Sequence, residues 1–261
     1  MTSAGESIVF DRAAGYYDAT RGFPPGVEGR VADLFAVAGS LGPRSRVLEL
    51  GIGTGRIAVP LAARIGRYTG ADLSAPMLAK LLEKRGALPI DLARADATRL
   101  PFAAGSFDAV IGVHVFHLIP GWRDALAGAA RLLRAGGLLL HGGDDHSRGP
   151  VWMRWRDRIE TGDEVRNVGV PRDRIERFPE DEGWEPSGVH RIEFARPVRP
   201  SALLEIVAGR SWSMTWRMSD AALAEAVEAL RADLLDAYGD LERMVEVETG
   251  FWVRAYRPPA A

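Results

Sequence analysis

Glu49 stands two residues before the first glycine of a loop in the stretch VLELGIGTGR, residues 47–56. Gly51, Gly53 and Gly55 alternate with other residues between a run of strand formers and an expected helix. Glycines so placed permit a tight turn and let a ligand come close to the backbone. Such a loop commonly cradles an anionic phosphate, which a carboxylate beside it would repel. The dinucleotide fingerprint also wants a glycine where this chain has Arg56. Glu49 therefore calls for a ligand carrying positive charge, and a nicotinamide oxidoreductase becomes the weaker expectation.

Two more acids fall at expected strand ends. Asp72 closes YTGAD, 21 residues past Gly51, where a carboxylate accepts both hydroxyls of a ribose. Asp96, in ARADAT, closes the next strand, where a carboxylate can take an adenine amino group. A nucleoside with a cationic arm satisfies all three. S-adenosyl-L-methionine carries an ammonium and a sulfonium, and its own carboxylate can meet the loop N–H groups at the helix N-terminus.

The stretches VLELGIGTGR, GADLSAPML, ARADATRLPFAAGSFDAVIGVHVFHLI and ARLLRAGGLLL follow one another over residues 46–140. In order and content they resemble the class I S-adenosylmethionine-dependent methyltransferases, in particular the small-molecule type 11, UbiE-like branch. The resemblance implies that Glu49, Gly51, Gly53 and Gly55 hold the methionine part of the cofactor and that Asp72 holds the ribose. It places Leu73 and Met77 against the adenine, Asp96 and Ala97 on the adenine edge, and His114 near the cofactor. The segment YYDATRG looks like the part that closes over the cofactor in relatives, which makes Tyr17 and Arg21 candidates, Arg21 for the methionine carboxylate. Ala135 stands where relatives often carry proline. A protein that binds the same cofactor without transferring methyl groups, as a cyclase or a sensor, would keep the same loop and the same Asp72.

The elements that must position these residues alternate. RVLEL, YTGADL, IDLARAD, the start of SFDAVIGVHVFHLI and LLLHGG read as strands separated by helical stretches. PGWRDALAGAARLLRAGG reads as a helix ended by its glycine pair, and SAPMLAKLLEKRGA as a helix capped by Ser74. HRIEFARPV and VEVETGFWVRAY add two late strands around the amphipathic SDAALAEAVEALRADLLDAYG. The pattern predicts an α/β fold: a Rossmann-like, doubly wound, mostly parallel seven-stranded sheet with a helical lid or insertion. Residues 1–45 form an N-terminal cap segment, 46–150 the cofactor-binding core, and 151–261 the rest of the sheet with the lid, all as one domain. Ligands of such sheets bind at the carboxyl ends of the strands.

The acceptor side is less specific. His117, three residues after His114, is a candidate general base. In HGGDDHSRG, the residues His141, Asp144, Asp145 and His146 offer metal-ligand chemistry, but a solvated loop is the simpler reading and no metal is expected, with His141 turned into the packing layers. Trp152, Trp155 and Trp216 are candidates for the pocket of an apolar or aromatic small-molecule acceptor. Trp212, Met214, Trp216 and Met218 alternate at strand spacing. Net charge is −2 with 33 basic and 35 acidic residues, which argues against duplex nucleic acid as a partner. With no cysteine in the sequence, thiolate chemistry and disulfides are excluded. The N-terminus lacks an apolar signal region and no stretch is apolar enough to span a membrane, so a cytoplasmic monomer or homodimer is the expectation.

Overall fold

A computed structural model of the chain describes residues 7–145, 151–160 and 169–259. It divides into two units: Met1–Gly143, Val168–Ile192 and Phe251–Ala261 in one, Asp144–Asn167 and Glu193–Gly250 in the other.

In chain order the elements are α1 (Tyr17–Arg21), α2 (Val27–Ala38), β1 (Arg46–Leu50), α3 (Ala58–Ala62), β2 (Arg67–Asp72), α4 (Ala75–Lys84), β3 (Ile90–Arg94) and β4 (Phe107–Val113). There follow α5 (Trp122–Leu132), β5 (Leu133–Asp145), α6 (Val151–Glu160), α7 (Phe178–Asp181), β6 (Glu185–Val198), α8 (Pro200–Ala208), α9 (Asp220–Tyr238) and β7 (Val245–Arg257). The seven strands form one mixed sheet in the order β3-β2-β1-β4-β5-β7-β6. The β1–β2, β1–β4, β2–β3 and β4–β5 pairs are parallel. Strand order reverses between β1 and β4, which opens a crevice at their carboxyl ends.

Sequence explains the placement. Val47, Leu48, Glu49 and Leu50 of β1 are all buried, as expected of a strand covered on both faces. On α5, Trp122, Ala125, Leu126, Ala129 and Leu132 recur at helical spacing and are all buried. Ser74 caps α4, its Oγ accepting from Met77 N at 3.3 Å, with proline in the first turn.

Two expectations change. The helix α5 stops at Leu132, and the glycine pair Gly136–Gly137 lies within β5. The β4–β5 register slips there, from Phe107↔Leu133 to Ala109↔Leu138. Gly136 has φ +77°, the left-handed backbone such a bulge demands. The Trp212–Met218 alternation is a single 3-10 turn (Ser213–Thr215), not a strand.

The second unit packs its own core. Val151, Trp155, Leu203, Leu204, Val207, Met218, Leu223, Ala226, Leu230 and Leu234 form one buried cluster. Among the described residues no helix is long and apolar enough to cross a membrane.

Candidate functional site

The carboxyl ends of β1 to β4 converge on one cleft. It is lined by Gly51 and Gly53 after β1, by Asp72, Leu73 and Met77 after β2, and by Asp96 and Ala97 after β3. His114 enters after β4, and Ile8, Val9, Phe10 and Tyr17 of the N-terminal segment complete the wall. Nine of the residues singled out in the sequence thus meet in one place.

The glycine loop needs its glycines. Gly51, Gly53 and Gly55 have φ of +65°, +55° and +82°, a region costly for residues with a Cβ. At Gly51 a Cβ would also come within 2.6 Å of the Val115 side chain. His114 has φ +49°, a left-handed backbone that histidine tolerates better than β-branched residues do, and it turns the chain at the end of β4.

Asp72 is held rigidly. Its Oδ2 accepts from Gly53 N and its Oδ1 from Ser74 N, each at 2.8 Å. Burial raises its pKa above the ordinary carboxylate value, against the pull of these backbone bonds. Asp96 is held more locally: Oδ1 accepts from both Thr98 N and Thr98 Oγ1 at 2.8 Å.

Glu49 sits behind the cleft wall. It is 3% exposed, and its Oε2 accepts from the Tyr68 hydroxyl at 2.7 Å. Burial pushes its carboxyl up to about 8, with the Tyr68 bond opposing the rise and the Asp72 charge adding to it. The same burial drives the Tyr68 hydroxyl well above its ordinary value.

Other expected residues lie elsewhere. Gly55 packs inward, where a Cβ would meet Leu81 at 2.3 Å. Arg21 ends α1 outside the cleft lining. His117 belongs to the 3-10 turn Phe116–Leu118, whose backbone is pinned by Gly169 N on His117 O and Val170 N on Phe116 O; it too is absent from the lining. Trp155 is fully buried, and its Nε1 donates to Ala226 O at 2.6 Å. Trp155 is part of the second unit's core cluster and lines no part of the cleft. Trp152 packs against the same cluster, and Trp216 donates to Arg210 O at 2.8 Å.

His141 points into the packing layers as expected. Its Nδ1 lies 3.1 Å from Gly112 O and its Nε2 2.7 Å from Ile175 O, with Phe116, Phe178 and Trp252 rings around it. Burial lowers its pKa to about 4. Each ring nitrogen faces a backbone carbonyl, and the neutral ring donates to only one of them. His146 lies outside the described residues, and among those residues no group of three or more His, Cys, Asp or Glu could hold a metal ion.

Two features escaped the sequence. Tyr68 was unremarked, although its place two residues before Gly70, the register partner of Glu49, puts it on the same sheet face. Asp18 on α1 ties the N-terminal segment to the loop: Thr54 Oγ1 donates to its Oδ1 at 2.6 Å and Lys84 Nζ to its Oδ2 at 2.7 Å. Ile8 N adds a bond to Leu118 O at 3.1 Å. No local pattern announces a pairing across 36 residues.

The chain is similar to known proteins. Residues 48–141 match the methyltransferase-domain family. The chain is 32% identical over 216 residues to an uncharacterised methyltransferase of Mycobacterium tuberculosis, covering 80% of this chain and 79% of that one. It is 41% identical over 99 residues to phthiotriol/phenolphthiotriol dimycocerosates methyltransferase 1 of Mycobacterium ulcerans, 37% of this chain and 36% of the other. Among solved structures, a candidate methyltransferase of Bacillus halodurans C-125 superposes with a TM-score of 0.60 at 17% identity, covering 88% of this chain and 99% of that chain. The cyclase SpnF gives 0.55 at 20% identity, covering 89% and 81%. A phosphoethanolamine N-methyltransferase of Haemonchus contortus, solved with S-adenosylhomocysteine, gives 0.55 at 20%, covering 96% and 58%.

The seven-stranded sheet has the Rossmann-like fold of these methyltransferase neighbours. The chain belongs to the class I S-adenosylmethionine-dependent methyltransferases. S-adenosylmethionine is its cofactor. The cleft is compatible with that molecule: the carboxylates of Asp72 and Asp96 lie in its lining beside Gly51 and Gly53, as acceptors for a nucleoside's hydroxyl and amino groups.

Proposed function

We propose that the cleft at the ends of β1 to β4 is where this methyltransferase binds its cofactor, and that it methylates a small apolar or aromatic molecule. The observation that carries the reading is Asp72, whose carboxylate is fixed by Gly53 N and Ser74 N inside the cleft. Two backbone bonds leave lone pairs for two ribose hydroxyls, and the oxygens need not reorganise to take them. Asp96, with Ala97 beside it, takes the adenine edge, and Leu73 and Met77 supply apolar faces for the ring. Glu49 provides negative charge behind the methionine part, where Gly51 and Gly53 let the backbone approach. Tyr17 lines the entrance from α1, and His114 stands beside the loop.

The cofactor brings an activated methyl group on sulfur. What remains for the chain is to hold that group and an acceptor in line and to keep water away, which supplies most of the acceleration in such transfers. The apolar wall of Ile8, Val9, Phe10, Leu118 and Ile119 supports an apolar acceptor. One relative, matched over 37% of this chain, is named for dimycocerosate acceptors.

Calorimetric titration tests the reading. S-adenosylmethionine and S-adenosylhomocysteine bind wild type, and Asp72→Ala weakens both by roughly 100-fold, two lost charge-assisted bonds at about 1.5 kcal/mol each. Labelled methyl then appears in apolar phenols or lipids ahead of polar amines. Unchanged binding in the variant removes Asp72 from the site.

A further inference from the structure

Asp18 lies outside the lining of the cleft and bonds to two of the elements that shape it. Its Oδ1 accepts from Thr54 Oγ1 at 2.6 Å and its Oδ2 from Lys84 Nζ at 2.7 Å. Thr54 belongs to the glycine loop and is 1% exposed. The residue before it, Gly53, donates the N–H that fixes the Asp72 carboxylate. Lys84 is the last residue of α4, the helix whose first turn carries Met77 of the cleft lining. One carboxylate therefore reaches both the loop after β1 and the helix after β2.

Asp18 is also the neighbour of Tyr17 in sequence. Tyr17 meets the Phe10 ring edge to face, at 6.3 Å and 80°, and with Ile8 and Val9 the two rings form the N-terminal wall of the cleft. Ile8 N ties the start of this wall to Leu118 O at 3.1 Å. At its other end the wall rides on α1, which has five residues, none of them buried. A helix that short does not hold its shape or place alone, and the two bonds of Asp18 supply what it lacks. They differ in kind. The Thr54 bond is charge-assisted and comes from a buried donor. The side chains of the Lys84–Asp18 pair are 36% and 46% exposed, so salt screens it.

Resting on the cofactor reading above, we infer that Asp18 is a positioning residue for cofactor retention. It acts through Thr54 and Tyr17 and not on the ligand itself. It holds the Tyr17 wall against the glycine loop and α4, and a nucleoside in the cleft leaves when those bonds open. Coupling of this kind is reciprocal: an occupied cleft keeps the wall in place and keeps Lys84 paired with Asp18. Residence of the nucleoside then depends on ionic strength, although S-adenosylhomocysteine carries no net charge near neutral pH. The chain reports on its own pair, since its sequence holds two lysines, Lys84 and Lys80, and Lys80 pairs with Glu83 instead, at 2.8 Å.

Surface plasmon resonance with S-adenosylhomocysteine on the tethered protein measures release. Asp18→Ala and Thr54→Val should each speed release about tenfold, the loss of one charge-assisted bond. Thr54→Ser keeps the hydroxyl and should stay within about twofold of wild type. Raising salt from about 0.05 to about 0.5 M should speed release from wild type and leave Asp18→Ala unchanged. Trace acetylation gives a readout that a merely structural role would not move. Bound S-adenosylhomocysteine should protect Lys84 severalfold and Lys80 not at all, and the protection should vanish in Asp18→Ala. Release from Asp18→Ala at the wild-type rate overturns the inference. So does equal release from Thr54→Ser and Thr54→Val, or protection of Lys84 that survives Asp18→Ala. Where Thr54→Val does not fold, Asp18→Ala, at an exposed position, decides alone. In each of these outcomes the ligand still binds and the cofactor site stands. Failure of wild type to bind S-adenosylhomocysteine overturns the site reading itself, and this inference with it.

Discussion

The two units of the chain bury different things. In the first, two ionisable side chains, Glu49 and His141, sit among the most inaccessible residues, alongside Thr54 and Ser74. In the second, the buried polar side chains among the described residues are hydroxyls only, Thr215 and Thr249. Each of those satisfies itself on a nearby carbonyl: Thr215 Oγ1 on Trp212 O at 2.7 Å, Thr249 Oγ1 on Asp145 O at 3.1 Å. Burying an ionisable group is costly unless it is partnered or neutral; Glu49 has the Tyr68 hydroxyl, and the His141 ring lies between two backbone carbonyls. Both units have an apolar core, and the first in addition buries partnered ionisable groups.

The largest effect that could break this contrast lies at Trp155. Replacing it by alanine removes a fully buried indole and its bond to Ala226 O, which should cost about 3–5 kcal/mol. Thermal denaturation should register the loss, while S-adenosylhomocysteine binding in the first unit stays within experimental error of wild type wherever the protein remains folded. A binding loss as large as that of Asp72→Ala would mean that Trp155 serves the site after all.

Next in size are two opposed pH effects within the first unit. His141 is depressed from 6.5 to about 4, so the stability it contributes is complete above about 6.5 and is lost as pH falls toward 4. Glu49 is raised from 4.5 to about 8, so its contribution is complete below about 4.5 and is lost as pH rises through 8. Each amounts to a few kcal/mol in order of magnitude. Between 4.5 and 6.5 the two slopes oppose each other, and above 6.5 only Glu49 still weakens the fold. Denaturant midpoints measured across pH should therefore flatten in the lower window. Glu49→Gln should restore a rising slope there and abolish the decline between 6.5 and 8. A decline that persists in Glu49→Gln would assign it to another group.

The same contrast governs how far the sequence could be read. The parallel strands and Ser74 were legible because local composition decides them: β1 carries Val47, Leu48 and Leu50 in its covered length, and a serine before an apolar helical stripe is a cap. Asp72, Asp96 and the glycine loop were legible because a parallel sheet must put strand ends on one edge. The glycine pair at 136–137 was misread because a glycine after a helix and a glycine in a bulge look alike, and only pairing with β4 tells them apart. At 212–218 the period-two spacing of Trp and Met suggested a strand. There Arg210 Nη1 donates to Thr215 O and Met218 O at 2.5 and 2.7 Å, and such side chain–backbone bonds compete with any ladder. The role of Tyr68 needed the register of β1 on β2, which no single segment encodes.

The smallest effect sharpens the comparison most directly, because each unit has a serine at the start of a helix. Ser74 Oγ accepts from Met77 N at 3.3 Å and Ser219 Oγ from Ala222 N at 3.2 Å. Ser74 is completely buried, whereas Ser219 is exposed. Removing an N-cap hydroxyl costs about 0.5–2 kcal/mol. Water can replace it at Ser219, so Ser219→Ala should lie at the low end of that range. At Ser74 no water arrives and Met77 N is left buried without its partner, so Ser74→Ala should lie at the high end. Binding should nevertheless be spared. Asp72 is held by the backbone N of Ser74 and not by its hydroxyl, so the alanine variant keeps the bond that fixes the carboxylate. Ser74→Ala should lower the melting temperature more than Ser219→Ala and leave S-adenosylhomocysteine affinity within about threefold of wild type, under 1 kcal/mol. A larger loss of affinity would show that the cap at the head of α4, and not the Asp72 loop alone, shapes the floor of the cleft.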